Sequence, residues 1–257
     1  MKKSVDSFKT RLNRGDLIVG TWLKTPAYIV ADVLAGTELD VLCIDAEHAP
    51  FDRLSIDSSV LACKAHAMPV LVRVPTAAPH ELLNALDVGA TGVIVPHVTS
   101  GSMAEAITKA AQYGPDGRGY AGSSRAAGYT RRSMPQHVAD SLAETVVVAQ
   151  IEDRRGVENI QAIASVADID CMFIGRADLA LSYQTIDAQA PSVIAAAERI
   201  CTVAREAGKR VGMFLADLSE VPRWHAVGVT VFLLESDHTF LIRGAASLAA
   251  RIRSIVR

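Results

Sequence analysis

The chain has 257 residues, of which 50% are hydrophobic, 21% charged and only 5% aromatic, with a net charge of −2. That balance excludes global disorder and leaves enough apolar mass for a sizeable core. It gives no electrostatic reason to expect nucleic acid or an anionic membrane as partner, and the length is that of one α/β barrel.

From the beginning, MKKSVDSFKTRLNRGD is basic but no apolar h-region follows it. No later stretch has the apolar length a bilayer demands, so a cytoplasmic protein is expected. Apolar runs follow at 17–23, 39–45, 69–74, 92–96, 145–151, 169–174, 210–215 and 229–234. They are apolar at nearly every position rather than at alternate ones, as parallel strands covered on both faces are. Amphipathic segments separate them. Thr25-Pro26 opens one and Gly36 closes it; others cover 79–88, 102–113 and 192–207, each followed by glycine, and a last one covers 237–256. Eight strands, each followed by a helix, predict a single (β/α)8 TIM-type barrel over 1–257; an open doubly wound sheet is the other arrangement with this strand count.

The stretch 114–137, GPDGRGYAGSSRAAGYTRRSMPQH, is too long for an ordinary connection and carries Arg118, Arg125, Arg131 and Arg132. Coming after the fourth strand, it is read as a flap over the active site. The cysteines, Cys43, Cys63, Cys171 and Cys201, form no CxxC pair and no zinc spacing, and are expected to be buried free thiols.

In such a barrel the active site lies at the C-terminal ends of the strands. Those ends carry Asp45-Ala46-Glu47-His48, Arg73, Pro96-His97, Gln150-Ile151-Glu152-Asp153, Gly175-Arg176-Ala177-Asp178, Asp217 and Glu235-Ser236-Asp237. Gln150 and Glu152, two apart on a strand, point the same way. Arg73 interrupts an apolar run, so its guanidinium needs an anion, from the protein or from a substrate. Carboxylates from neighbouring strands suit a hard divalent cation, and a histidine beside a carboxylate supplies a general base. Asp237 reads as a helix cap and Asp153 as solvated. The loops FLADLSE and LLESDHTF hold no glycine, which disfavours a phosphorylated substrate, and no GxGxxG follows the first strand.

The pieces GTWLKTP, LDVLCIDAEHAPFD, VLVRVP, LDVGATGVIVPHV, GPDGRGY, VVVAQIED and MFIGRADLA cover nearly the whole chain in order. Together they resemble the HpcH/HpaI family of aldolases, class II enzymes of the 4-hydroxy-2-oxo-heptanedioate and 2-dehydro-3-deoxy-glucarate type. The resemblance implies reversible cleavage of a 4-hydroxy-2-oxo acid into pyruvate, or a related 2-oxo acid, and an aldehyde, through a metal-stabilised enolate. It places the ligands of a divalent metal (Mg²⁺, Mn²⁺ or Co²⁺) on Glu152 and Asp178. It places the catalytic histidine on His48, paired with Asp45, and the pyruvate-binding arginine on Arg73. Gln150 lies beside metal and oxo acid, and the backbone at Ala177 and Asp178 receives the substrate carboxylate. The partners it implies are small molecules, in a homohexamer of dimers that exchange the last helix. Three features depart from the family, one of them the stretch around Arg125 to Arg132. Arg176 stands where members commonly carry proline, either as an extra cation at the mouth or as a structural partner, and the eighth strand ends LLESD. The other readings are a class I aldolase using Lys24, a CoA-ester lyase of the citrate-lyase β type, and a non-catalytic oxo-acid-binding barrel.

Overall fold

A computed structural model describes residues 6–256. Its strands are β1 (Ile18–Leu23), β2 (Val41–Asp45), β3 (Val70–Arg73), β4 (Gly92–Val95), β5 (Val146–Ile151), β6 (Cys171–Ile174), β7 (Arg210–Leu215) and β8 (Val229–Ser236). All neighbours pair in parallel and β8 closes on β1, which excludes the open sheet. The helices before β5 are α1 (Phe8–Arg14), α2 (Tyr28–Ala35), α3 (Arg53–Ala65), α4 (Pro79–Asp87), α5 (Gly101–Ala111) and α6 (Met134–Glu144). After it come α7 (Arg154–Glu158), α8 (Ile160–Ala164), α9 (Arg176–Ser182), α10 (Pro191–Glu206), α11 (Val221–Ala226) and α12 (Asp237–Ile255).

Strands buried on both faces divide the core in two. Side chains facing outward, such as Leu42, Val72, Val93 and Ile174, pack beneath the helices. Those facing the axis, including Ile18, Trp22, Cys43, Leu71, Ile94, Val148, Phe173 and Leu233, fill the barrel, and Phe8 and Leu12 of α1 plug its N-terminal end. All four cysteines are buried and free. Burial pushes the thiols of Cys43, Cys171 and Cys201 up, so at neutral pH they remain protonated and unreactive.

Alternation along each strand then dictates what happens at the C-terminal end. The inward series Cys43–Asp45, Leu71–Arg73 and Val148–Gln150 each pass from apolar to polar within two residues. Asp45 and Arg73 are register partners across β2 and β3. The barrel is therefore a dry apolar plug with a polar lid at one end.

Three expectations are corrected. The helix after β1 begins at Tyr28, beyond Pro26, with Ala27 as N-cap and no side-chain capping bond, and the Thr25 N–H donates to Asp237. The segment 114–137 does not close over this chain's own carboxylates. It follows α5, which has already returned the chain to the N-terminal end, and it packs there: the Ala126 N–H donates to Asp87 O, and Arg125 pairs with Asp57 of α3 at 2.8 Å. Its last residues begin α6, with Ser133 as N-cap and proline in the first turn. Asp237 is no cap either. Ser236 caps α12, while the buried Asp237 carboxylate accepts the Lys24 and Thr25 N–H groups at 2.8 and 3.0 Å, tying the end of β1 to that of β8.

No described helix is long and apolar enough to cross a membrane. Helix α12 meets its own barrel at β1 and β8, and leaves Leu241, Ile242, Leu248 and Ile252 exposed.

Candidate active site

The polar lid is built around Asp45, whose residue surface is fully buried. Its Oδ1 accepts from Arg73 Nε and Nη2 at 3.0 and 2.8 Å and from the His48 backbone N–H at 3.1 Å. Lys24 Nζ lies 2.8 Å from Oδ2. Burial alone would raise this carboxyl, but the Arg73 and Lys24 charges outweigh it and hold Asp45 below the ordinary carboxylate range. Arg73 also lies over the Trp22 ring, 4.4 Å from its centroid, and places Nε 3.3 Å from Glu47 Oε2. The guanidinium is thus fixed on three sides.

Glu152, the residue after β5, is 2% exposed and lies between two donors. Gln150 Nε2 donates to Oε2, which confirms that the two side chains share a face, and the His97 N–H donates to Oε1 at 2.9 Å. His97 reaches that position with φ 54°, a left-handed conformation that non-glycine residues adopt at a cost of roughly 1 kcal/mol. Its ring lies 3.4 Å from Glu152, 3.0 Å from Asp153 and 3.7 Å from Glu47. Burial opposes the imidazolium, yet these carboxylates prevail and raise its pKa. Asp153 is therefore a partner of His97 rather than merely solvated.

One ligand atom from each of Glu47, His97 and Glu152 lies within 4.8 Å of the others, a group suited to a metal ion. Three acceptors here, Asp45 Oδ2, Glu47 Oε2 and Gln150 Oε1, are buried without a hydrogen-bond partner, although Lys24 lies 2.8 Å from the first and Arg73 3.3 Å from the second. Burial raises the Glu47 pKa, so its charge is undercompensated by the protein alone. Oxygen donors with one imidazole, a carboxylate oxygen that makes no hydrogen bond, and net negative charge fit a divalent cation.

Of the expected ligand pair, Glu152 alone is a member of this cluster. Asp178, in the first turn of α9, has no hydrogen bond or ion pair among the described residues. Glu47 and His97, the cluster's other members, were not singled out by spacing; their signal was a place at the ends of β2 and β4. The expected His48–Asp45 pair forms through the His48 backbone, and the exposed ring comes nearest to Glu47, at 3.7 Å. Ala177 is exposed, and no side chain caps the start of α9. Arg176 is no free cation at the mouth: it is 8% exposed and bonded through both Nη atoms to Glu220.

Residues 19–243 match the sequence model of the HpcH/HpaI aldolase/citrate lyase family. A hydroxypyruvate/pyruvate aldolase from Paraburkholderia phytofirmans is 32% identical over 262 residues, covering 99% of this chain and all of that protein. A 4-hydroxy-2-oxo-heptane-1,7-dioate aldolase from Shigella flexneri is 32% identical over 248 residues, 96% of this chain and 92% of the relative. Among solved structures, an HpcH/HpaI aldolase/citrate lyase family protein from Burkholderia cenocepacia superposes with TM-score 0.90 at 31% identity, covering 95% of this chain and 98% of that one.

Gly175 is the N-cap of α9, and a Cβ there would lie 2.6 Å from Glu152 Oε2 and 2.9 Å from Glu152 Cβ. Gly175→Ala is accordingly expected to cost about 1–3 kcal/mol, read as a lower urea midpoint at unchanged m.

Proposed function

The chain belongs to the HpcH/HpaI aldolase/citrate lyase family, a carbon–carbon lyase family, and on that premise we propose that it is a metal-dependent aldolase cleaving a 4-hydroxy-2-oxo acid into pyruvate, or a related 2-oxo acid, and an aldehyde. The observation that carries this reading is the Glu47–His97–Glu152 cluster within 4.8 Å, flanked by the enclosed Arg73. Glu152, Glu47 and His97 would hold the cation, with Asp178 as a further donor from the β6 side. When bound, a divalent cation supplies positive charge against the keto and carboxylate oxygens of an oxo acid, which favours breaking the neighbouring carbon–carbon bond.

The chain's own groups do the rest. Arg73, held by Asp45 and Glu47, meets the negative charge that develops on the C2 oxygen as the C3–C4 bond breaks. No hydrogen bond occupies its Nη1 among the described residues. His48, whose side chain is 56% exposed beside Glu47, accepts the C4 hydroxyl proton as the aldehyde leaves, and a proton is delivered to C3 to complete pyruvate. Gln150 and the uncapped amides of Ala177 and Asp178 orient the oxo acid. Lys24 is engaged by Asp45, which makes it a support for the lid rather than a Schiff-base nucleophile.

The proposal extends to the assembly through α12. Its exposed Leu241, Ile242, Leu248 and Ile252, with Tyr28, Ile29 and Val33 on α2, leave apolar surface that a second copy would cover by exchanging this helix within a homo-oligomer.

The test is pyruvate release from a panel of 4-hydroxy-2-oxo acids, in EDTA and then with Mg²⁺, Mn²⁺ or Co²⁺ restored. Metal-dependent release is expected, and Arg73→Ala should lose at least ~2 kcal/mol of barrier lowering, about thirtyfold in rate. Release persisting in EDTA, trapped by borohydride and abolished by Lys24→Met, would replace the reading with a class I mechanism. No release from any member would favour a CoA-ester lyase or a non-catalytic oxo-acid-binding barrel.

A further inference from the structure

The turn from β6 into α9 carries Gly175 against Glu152 and leads two residues beyond Arg176 to Asp178. A turn this close to the carboxylate cluster cannot shift without moving Glu152, yet no side chain caps the helix it opens. Its anchor lies on the neighbouring loop. Arg176 Nη1 and Nη2 bond to Glu220 Oε2 and Oε1 at 2.7 and 2.9 Å, a fork-to-fork pair that fixes direction as well as distance. The Trp224 indole N–H donates to the same Glu220 oxygen at 3.1 Å, and the guanidinium lies 5.3 Å from the Trp224 ring centroid. Trp224, on α11, is itself fully buried. The acid is held firmly in its charged form: Arg176 first, then Gln189 and Trp224, bring the Glu220 pKa down to about 2 despite its partial burial.

We propose that the Arg176–Glu220 pair is a positioning latch that joins the β6–α9 turn to the β7–α11 loop and so sets the affinity of the carboxylate cluster for a divalent cation and of the site for its oxo acid. Neither Arg176 nor Glu220 has a hydrogen bond or ion pair with Glu47, His97 or Glu152 among the described residues. It acts through Gly175, whose backbone borders Glu152 and Gln150, and through the first turn of α9, where the Ala177 and Asp178 amides and the Asp178 carboxylate lie. The geometry distinguishes Arg from Lys, since an ammonium cannot make both bonds to Glu220 or stack on Trp224. The oxo-acid half rests on the aldolase reading; the cation half does not.

The experiment compares wild type, Glu220→Gln, Arg176→Lys and Arg176→Met as intact assemblies. Mn²⁺ alone is titrated calorimetrically, kcat and KM for the oxo acid are measured at saturating Mn²⁺, and thermal unfolding is recorded without metal. Supporting residues around metal sites commonly control affinity by 10–100-fold. The latch predicts Mn²⁺ binding weakened about tenfold or more in Glu220→Gln and Arg176→Met, with Arg176→Lys weakened to a lesser extent. It predicts KM raised severalfold, with kcat nearly unchanged once the metal is saturating. Variants that unfold at lower temperature but keep wild-type Mn²⁺ affinity would overturn the proposal and leave the pair purely structural. If the Met variant does not fold, the nearly isosteric Glu220→Gln decides. Wild type that binds Mn²⁺ but cleaves no oxo acid would remove the aldolase reading, while the Mn²⁺ comparison still decides the latch.

Discussion

Three carboxylates, Asp45, Glu47 and Glu152, are enclosed at one end of a barrel whose interior is otherwise hydrocarbon. Unit charges about 4 Å apart repel by roughly 4 kcal/mol at the effective dielectric of a protein near its surface, so such a group persists only where cations are built in beside it. Arg73 and Lys24 neutralise Asp45, and Arg73 reaches on to Glu47. Glu152 receives neutral donors, Gln150 and the His97 N–H, with the His97 ring alongside. The protein balances Asp45 fully and leaves Glu47 and Glu152 short of positive charge. A divalent cation would complete the account, and that shortage is the physical basis of the proposed chemistry.

The fold serves this arrangement by keeping everything else out. Phe8 and Leu12 close the far end, and Trp22 and Phe173 fill the layer beneath the lid with their rings edge to face at 5.9 Å. With apolar side chains packed in the barrel beneath them, Arg73 and Gln150 face the mouth. Asp237 and Glu220 then tie the strand ends together, β1 to β8 and the β6 turn to the β7 loop.

Much of this was legible in the chain. Near-continuous apolar runs betray parallel strands, because both faces are covered, and all eight were located to within two residues at either end. The shared direction of Gln150 and Glu152 follows from alternation alone, as does the enclosure of Arg73. What escaped depends on backbone conformation and tertiary proximity, which spacing does not carry. His97 enters the cluster by adopting positive φ, and His48 meets Asp45 through its N–H instead of its ring. The stretch 114–137 looked like a flap because its length and charge are visible, whereas the end of the barrel it occupies depends on α5 preceding it. Arg176 could be read as a cation at the mouth until Glu220, 44 residues away, was seen to occupy it.

The central claim is that the Glu47–His97–Glu152 cluster is a divalent-cation site. The most direct measurement is anomalous diffraction at the manganese edge from crystals grown with Mn²⁺. The account predicts one strong peak per chain, among the side chains of Glu47, His97 and Glu152. An empty cluster at saturating Mn²⁺, or a peak only at a distant surface carboxylate, would contradict it.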